Sequence, residues 1–236
     1  MDNIEIENLE HRFADGTLGL EGINLKIRTG DFVVVAGPNG SGKTTLVRHL
    51  NGLLLPTDGR VKVAGVPVQK HQLRARRLVG MMFQDAESQI VGQTVYEDVA
   101  FGPENLRLDN DQIRERVALA LDAVGLKDFG EQRPHLLSGG EKRRLAIAGI
   151  LAMKPEVIVF DEPFASLDYP GVKQVLQQIV ALHQTGHTIL VITHDMEKVL
   201  AHADRVIIMQ KGKIVRDGGP ARIAGDLETF GVRAPC

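Results

Sequence analysis

The chain has 236 residues, 43% of them hydrophobic, which is enough to form a core in one domain or in a domain with an added lobe. Its 28 basic and 30 acidic residues give a net charge of −2, which excludes nucleic-acid binding through bulk positive charge. The single cysteine, Cys236, excludes a disulfide framework and favours a reducing, cytosolic setting. The acidic start does not resemble a signal peptide, and no apolar run approaches the roughly 18 residues of a membrane span. Any membrane role is therefore expected to be peripheral, through a partner.

The first part of the chain combines strand patterns with one helix. "NIEIENL" and "GINLKI" alternate apolar and polar residues, which predicts half-buried strands. "DFVVVAG" and "LVGMMF" are typical of buried strands, and "VKVAGVPV" predicts a further short strand. Residues 43–52 form the first predicted helix, which ends at Gly52.

The strand pattern stops between about Gln84 and Lys154. Three amphipathic helical patterns replace it: "TVYEDVAFGPENL", "NDQIRERVALALDAVGL" and "SGGEKRRLAIAGILAM". Asp109 or Asn110 is expected to cap the second of these helices, and Gly125 to end it. These patterns predict a helical lobe of about seventy residues inserted into an α/β core.

Strands return in the last part of the chain. "EVIVFDEP" and "HTILVIT" predict buried strands, with the helix "PGVKQVLQQIVALHQ" between them. "RVIIMQKGKIVRDG" predicts a hairpin that turns at "QKGK". The alternation of buried strands and helices predicts an α/β fold with a mainly parallel sheet and helices on both faces.

The segment "GPNGSGKT", residues 37–44, lies between a predicted buried strand and the first predicted helix. It fits the pattern G-x-x-x-x-G-K-[ST], whose glycines let backbone N–H groups turn inward around phosphate oxygens. The helix start adds a positive partial charge. Lys43 is expected to reach the β- and γ-phosphates of a nucleotide, and Thr44 to offer its hydroxyl to Mg²⁺. The flanking strand and helix favour this interpretation over an ordinary glycine-rich turn.

The segment "VIVFDEP" places two carboxylates at the end of a buried strand. Asp161 is expected to hold Mg²⁺ directly or through water. Glu162 follows at once, where a carboxylate can orient and deprotonate an attacking water. Taken alone, the two residues would be a solvated acidic pair, but beside a phosphate-binding loop the functional interpretation is favoured.

The segment "LLSGGEKRR" has Ser138 at a predicted helix start, followed by Gly139 and Gly140. A serine hydroxyl and free N–H groups at a helix N-terminus can form a second anion site. Taken alone, the segment is better explained as an ordinary helix cap with Glu141 in the first turn.

Together these segments resemble the ATP-binding cassette (ABC) ATPases over almost the whole chain. "GPNGSGKTT" resembles the Walker A motif, "VIVFDE" Walker B with its catalytic glutamate, and "LSGGE" the family signature, in which Glu141 replaces the usual glutamine. Gln84 in "MMFQD" resembles the Q-loop residue, Asp168 in "SLD" the D-loop residue, and His194 in "VITHD" the switch histidine. Phe13 in "HRFADG" stands where the family places an aromatic ring that stacks on adenine.

The resemblance implies ATP and Mg²⁺ as ligands and assigns residues to them. It assigns catalytic roles to Lys43, Glu162 and His194, and the binding of Mg²⁺ to Thr44, Gln84 and Asp161. The implied nucleotide contacts are Phe13, Gly37, Pro38, Asn39, Gly40, Ser41, Gly42, Lys43, Thr44, Thr45, Gln84, Ser138, Gly139, Gly140 and Asp168.

The resemblance also implies a domain organisation. A single ABC ATPase domain, residues 1–236, would have a P-loop NTPase core with an N-terminal antiparallel β subdomain. Residues 1–84 and 155–236 would form the nucleotide-binding core, and residues 85–154 the helical subdomain. Two subunits are expected to pair head to tail, as a homodimer or as a heterodimer with a related ATPase. Each ATP would then lie between the Walker A loop of one subunit and Ser138 of the other.

The stretch after Gln84, "DAESQIVGQTVYEDVAFGPENLRL", resembles the ATPases of energy-coupling factor (ECF) importers for cobalt, nickel or vitamins. It departs from their usual "NPDN" at "DAES". The resemblance implies a place on the cytoplasmic face of the membrane, with a transmembrane scaffold protein and a substrate-binding membrane protein as partners. The scaffold's coupling helix would enter a groove formed by residues 84–106, and the short C-terminal segment leans toward dedicated metal or biotin systems. The matching residues are Gln89, Thr94, Val95, Glu97, Asp98, Ala100, Phe101, Gly102 and Asn105.

The main alternative is the ATPase subunit of a conventional ABC transporter. DNA-repair cassettes separate their motifs by long coiled coils and translation factors carry two cassettes, so neither fits this chain, and no nucleic-acid partner is expected. A P-loop kinase would need no "LSGG" segment, and a GTPase would show an N-K-x-D motif, which is absent. A cassette that binds ATP without hydrolysing it is disfavoured by the presence of Lys43, Glu162 and His194.

Two further patterns are given ordinary structural interpretations. "HQTGH", residues 183–187, has histidines at metal-like spacing but no carboxylate between them, so a surface turn is expected. "RARR", residues 74–77, is expected to be a solvated helix face.

Overall fold

The computed structural model describes residues 1–231, so Cys236 and the end of the predicted core segment lie outside the described residues. The strands are β1 Asp2–Arg12, β2 Leu18–Arg28, β3 Phe32–Ala36, β4 Asp58–Val63, β5 Val66–Pro67, β6 Val79–Met82, β7 Val157–Asp161, β8 Thr188–Ile192, β9 Arg205–Gln210 and β10 Lys213–Gly218. The α-helices are α1 Lys43–Leu50, α2 Gln72–Leu78, α3 Val95–Asn105, α4 Asn110–Ala123, α5 Gly139–Ala152, α6 Tyr169–Gln184 and α7 Pro220–Ile223. Short 3-10 helices span Glu87–Gln89, Lys127–Phe129, Pro134–Leu136, Met196–Lys198, Leu200–His202 and Ala224–Phe230.

The strands form two sheets. A four-stranded antiparallel sheet has the order β2-β1-β4-β5. A six-stranded sheet has the order β10-β9-β3-β8-β7-β6. Five of its strands, β9, β3, β8, β7 and β6, run parallel to one another, and β10 is an edge strand antiparallel to β9. The predicted mainly parallel core sheet and N-terminal antiparallel sheet are therefore confirmed.

The central strand β3 separates two hydrophobic cores, because successive side chains of a strand point to opposite faces. Phe32 and Val34 pack in a core with α3 to α6. Val33 and Val35 pack in a core with α1 and the antiparallel sheet. Helices thus cover both faces of the parallel sheet, as predicted.

The middle of the chain is helical. Residues 85–154 contain α3, α4 and α5 and no strand, and these helices share one core through Val99, Val117 and Leu145. Asp109 is the residue that caps α4, since its carboxylate accepts a 2.8 Å hydrogen bond from the backbone N–H of Gln112. Among residues 1–231, no helix has the length and apolar character needed to cross a membrane. The division into core and helical subdomains at residues 84 and 155 remains a prediction.

Two turns differ in how well the sequence predicted them. The pattern "VKVAGVPV" does not form one strand, because Ala64 (φ 47°) and Gly65 (φ 73°) turn the chain back between β4 and β5. The predicted hairpin of β9 and β10 is confirmed, and Lys211 (φ 48°) and Gly212 (φ 76°) form its two-residue turn. The basic run 74–77 lies on α2, where its three arginines are exposed, as expected.

Candidate functional site

The loop between β3 and α1 forms a cradle of backbone groups. Gly37 has φ 145°, and a Cβ atom on it would lie 2.1 Å from the carbonyl oxygen of Met209, so only glycine fits there. Gly42 has φ 100° and precedes α1 with no side-chain cap. The first N–H groups of α1 therefore have no side-chain partner at the helix end, where an anion is favoured.

Lys43 is the first residue of α1, and its side chain folds back over this loop. Its ammonium group donates hydrogen bonds to the carbonyl oxygens of Gly37 at 2.8 Å and Pro38 at 3.0 Å. Burial lowers the pKa of Lys43, and the nearby carboxylates of Glu162 and Asp161 oppose this effect. A buried cation is thus held at the cradle, where it can bind phosphate oxygens.

Thr44 and Asp161 bring two oxygen donors together from distant parts of the chain. The Thr44 hydroxyl donates a 3.0 Å hydrogen bond to Oδ2 of Asp161, at the carboxyl end of β7. Burial raises the pKa of the Asp161 carboxyl, while the Thr44 hydrogen bond lowers it. A divalent cation would offset the burial of this carboxylate, and hydroxyl and carboxylate oxygens are the ligands that Mg²⁺ prefers. The residues present therefore fit a Mg²⁺ site.

Glu162 and His194 form a hydrogen-bonded pair beside this position. Nδ1 of His194 donates to Oε1 of Glu162 at 2.8 Å, where the Glu162 side chain is 15% exposed and that of His194 is 71% exposed. The backbone of Glu162 has φ 52°, a conformation that residues other than glycine rarely adopt. Its N–H donates to the carbonyl oxygen of Ile192 at 2.9 Å. Strained residues of this kind are held in place by their surroundings and concentrate at active sites.

A cavity of about 430 Å³ joins these groups. It contains most of the predicted site residues, including Gln84. Gly37 and Pro38 do not line it, although their carbonyls hold Lys43. The predicted site residues that line the cavity are Phe13, Asn39, Gly40, Ser41, Gly42, Lys43, Thr44, Thr45, Gln84, Asp161, Glu162 and His194.

The predicted signature and D-loop residues do not line this cavity. Ser138 caps α5: its hydroxyl accepts from the N–H of Glu141 at 3.3 Å, and the Glu141 carboxylate accepts from the N–H of Ser138 at 2.7 Å. These hydrogen bonds from Ser138 lower the pKa of Glu141. Asp168 caps α6 by accepting from the N–H of Gly171 at 2.9 Å. Neither Gly139 nor Gly140 borders the cavity of Lys43.

Four further residues line the cavity of Lys43 but had no sequence signal of their own: Thr17, Leu18, Gly19 and Ile192. Phe13 is 40% exposed at the cavity edge, and Gly19 lies against its ring. A Cβ atom on Gly19 would lie 2.6 Å from the Phe13 ring, so glycine is needed for this close packing. The pairing of β1 and β2 explains this contact, and no local pattern in "DGTLGL" indicates it.

Sequence comparison identifies the family. The pattern of the family described as "ABC transporter" matches residues 20–165. The chain belongs to the ABC transporter family. The cassette is 47% identical to the energy-coupling factor transporter ATP-binding protein EcfA of Methanocaldococcus jannaschii, over 96% of this chain and 82% of that protein.

Solved structures agree with this assignment. The structure of CbiO1 from Clostridium perfringens, described as part of the ABC transporter complex CbiONQ, has a TM-score of 0.88 at 37% identity and covers 97% of this chain and 92% of that one. A dimeric bacterial ABC transporter cassette has a TM-score of 0.81 at 28% identity and covers 92% and 98%. The cassette therefore binds and hydrolyses ATP, and it is of the energy-coupling factor type.

Proposed function

We propose that this cassette is the ATP-hydrolysing subunit of an ECF importer on the cytoplasmic face of the membrane. A scaffold membrane protein and a substrate-binding membrane protein would be its partners, and a transition-metal ion or a vitamin its cargo. The observation that carries the ATPase part is the Glu162–His194 pair beside the Lys43 cradle. The ECF part is supported by the 47% identity to EcfA and by the likeness to CbiO1.

The chain's own residues account for the chemistry as follows. Lys43 and the N–H groups of the Gly37–Gly42 loop bind the phosphate oxygens and stabilise the charge of the transferring phosphoryl group. Glu162 accepts the proton of the attacking water. His194 holds the Glu162 carboxylate through Nδ1, and its other ring nitrogen, Nε2, is left to face a γ-phosphate oxygen.

Thr44 and Asp161 are the proposed holders of Mg²⁺, with Gln84 at the same cavity. When bound there, Mg²⁺ neutralises negative charge on the β- and γ-phosphates. Phe13 is the proposed platform for the adenine ring, because its partly exposed ring borders the same cavity. Gln84 also borders a second cavity with Gly139 and Arg143 of α5, so it is suited to link the nucleotide to the helical region.

The proposed active unit is a dimer. Ser138 and its glycines lie outside the cavity of Lys43 but carry an exposed helix start suited to an anion. In a head-to-tail pair, each Ser138 would contact the γ-phosphate held by the other subunit. The resemblance to a dimeric cassette supports this arrangement, as a homodimer or as a heterodimer with a related ATPase. Asp168 would stand at the same interface.

A groove between α3, α5 and β6 is the proposed seat of the scaffold's coupling helix. Its volume is about 250 Å³, and its apolar lining includes Met81, Val91, Phe101 and Met153. Val91 is 60% exposed and Phe101 53% exposed, so the groove presents two large apolar side chains to solvent. An amphipathic helix from a partner would cover both side chains. We call this the coupling groove.

Affinity purification from detergent-solubilised native membranes tests this function. We expect the chain to recover a scaffold protein and a compact substrate-binding membrane protein, whose identity would lead to the cargo. Phe101→Asp should abolish the recovery, because it places a charge in the coupling groove. Leu119→Asp is the matched control, since Leu119 is 56% exposed on α4, outside that groove. Recovery of a conventional permease instead would favour the alternative, a conventional ABC transporter.

A further inference from the structure

The exposed side of α2, together with the chain just before it, carries positive charge without counter-charge. Lys70, Arg74, Arg76 and Arg77 are all exposed. Within residues 1–231, none of the four forms an ion pair. We call these four residues together with Leu73 the basic face.

The charge imbalance of the basic face is local. Residues 59–84 contain six lysines and arginines and no acidic residue, although the whole chain has a net charge of −2. Two of the six, Arg60 and Lys62, are neutralised across the antiparallel sheet by Glu7 and Glu5. The remaining four are those of the basic face. An anionic partner is therefore attracted to this side of the molecule in particular.

An apolar side chain stands among these charges. Leu73 is 73% exposed, and it lines a shallow depression of about 550 Å³ together with Lys70, Arg74 and Arg77. Leu53, 46% exposed, follows Gly52, which lies against Gln72 of α2. Basic residues around an exposed leucine are typical of surfaces that lie at the interface of a bilayer. Residues 59–82 include no phenylalanine, tyrosine or tryptophan, whereas surfaces for single-stranded nucleic acid rely on stacking of the bases on such rings.

The basic face adjoins the coupling groove. Arg76 belongs to α2 and also lines that groove beside Met81 and Phe101. Under the proposed function, on which this step rests, the coupling groove receives a membrane protein. In that case the adjoining basic face lies next to the bilayer. We propose that the basic face binds the headgroups of anionic phospholipids, with Leu73 inserted between them, and so holds the cassette against the membrane beside its partner.

Sedimentation with lipid vesicles tests the proposal on the purified full chain. Wild type should bind vesicles containing phosphatidylglycerol and show little binding to pure phosphatidylcholine, and salt should weaken the binding. The triple variant Lys70→Gln, Arg74→Gln, Arg77→Gln should bind phosphatidylglycerol vesicles more weakly by roughly 10- to 100-fold, at about tenfold per 1.4 kcal/mol and up to about 1 kcal/mol per charge. Leu73→Ser should weaken binding by about tenfold or less, with little dependence on salt.

A matched control removes the same charge elsewhere. Arg114→Gln, Lys127→Gln, Lys173→Gln alters three exposed cations outside the basic face and should leave vesicle binding unchanged. Basal ATPase activity should be unchanged in both triple variants, which also shows that they fold. The proposal is overturned if wild type binds both kinds of vesicle equally, if the two triple variants bind alike, or if a short single-stranded nucleic acid binds the basic face and displaces the vesicles. Because no membrane protein is present in this assay, its failure would leave the ATPase function and the pull-down result untouched.

Discussion

Glu162 is held in a strained conformation at the point where a water would be activated. Its backbone has φ 52°, and its carboxylate is fixed by Nδ1 of His194 at 2.8 Å. We expect Glu162→Gln to keep ATP binding but to lower turnover by about 100-fold or more, because an amide cannot take the proton of the attacking water. Turnover is measured by phosphate release, and binding by titration with a fluorescent ATP analogue.

The control for this change is Glu156→Gln. Glu156 is an exposed glutamate that precedes β7, whereas Glu162 follows it, so the chemical change is the same at the opposite end of the strand. Glu156→Gln should hydrolyse ATP at the wild-type rate. Wild-type turnover in Glu162→Gln would remove Glu162 from the role of general base.

His49 is a buried titratable residue near the site. It is fully buried on α1, its Nδ1 bonds the carbonyl oxygen of Thr45 at 2.7 Å, and its Nε2 lies 3.2 Å from Nδ1 of His11. Burial lowers the pKa of His49 to about 4. The folded state therefore holds the neutral ring, while the unfolded chain takes up a proton near the ordinary pKa of about 6.5.

The pH dependence of stability follows from this shift. Because the unfolded state binds more protons between the two pKa values, His49 should destabilise the fold progressively as the pH falls from about 6.5 to 4, by on the order of 3 kcal/mol in all. His49→Gln should flatten this part of the profile, measured by urea unfolding at several pH values. The control is the same substitution at an exposed histidine: His202→Gln should keep the wild-type slope of stability against pH. An unchanged slope in His49→Gln would contradict the assignment.

At the level of single residues, the sequence predicted the groups that short motifs specify. Lys43, Thr44, Asp161 and Glu162 could be placed because each follows a strand or begins a helix in a recognisable pattern. The contact of His49 with His11 could not, since it joins α1 to β1 through packing across 38 residues.

At the level of elements, α5 and α3 begin with the same device. The hydroxyls of Ser138 and Thr94 each accept from the backbone N–H three residues on, and the carboxylates of Glu141 and Glu97 accept from the backbone N–H of the cap residue. Ser138→Ala and Thr94→Ala should each destabilise the protein by about 1 kcal/mol through the lost cap, measured by chemical unfolding. Only Ser138→Ala should also lower ATP turnover, because only the Ser138 cap is proposed to meet a phosphate. Equal effects of both variants on turnover would reduce Ser138 to a structural cap.

The sequence predicted elements best where periodicity was long. α4 and α6 each span more than three turns, and an apolar face that repeats over their length predicts both helices. The sequence also indicated the cap of α4, at Asp109 or Asn110, and the end of α6 at Gln184. The pair β4 and β5 was predicted as one strand, since Ala64 gives no turn signal and only Gly65 hints at the reversal. Packing of β4 against β1 decides the turn, and that contact lies outside any local window.

At the scale of the whole molecule, the proposed site is divided between two separate places on one subunit. The cavity that holds Lys43 and Glu162 excludes Ser138, which caps α5 elsewhere. Sequence alone could locate both motifs, but it could not tell whether they meet within one chain. The geometry favours two half-sites per subunit, which a head-to-tail pair would complete.

Mixing two inactive variants tests this division. Glu162→Gln is inactive through its own cavity, and Ser138→Arg should be inactive because its arginine blocks the partner's phosphate position. A mixed dimer has one site with both defects and one site with wild-type Glu162 and wild-type Ser138. Since half of randomly mixed dimers are mixed and each has one intact site of two, the mixture should recover about a quarter of wild-type turnover.

Controls on each variant alone show whether the recovered ATP turnover comes from mixed dimers. Each variant alone should bind ATP and show only residual phosphate release, and the mixture should gain activity only after the subunits have exchanged. Light scattering checks that ATP brings both variants into dimers. If dimers form and no activity returns, both motifs act within one chain and the head-to-tail arrangement is wrong. If the purified chain forms no dimer with ATP, the intact site requires a related ATPase as partner, and repeating the mixture with that subunit would identify which signature serine completes the Glu162 site.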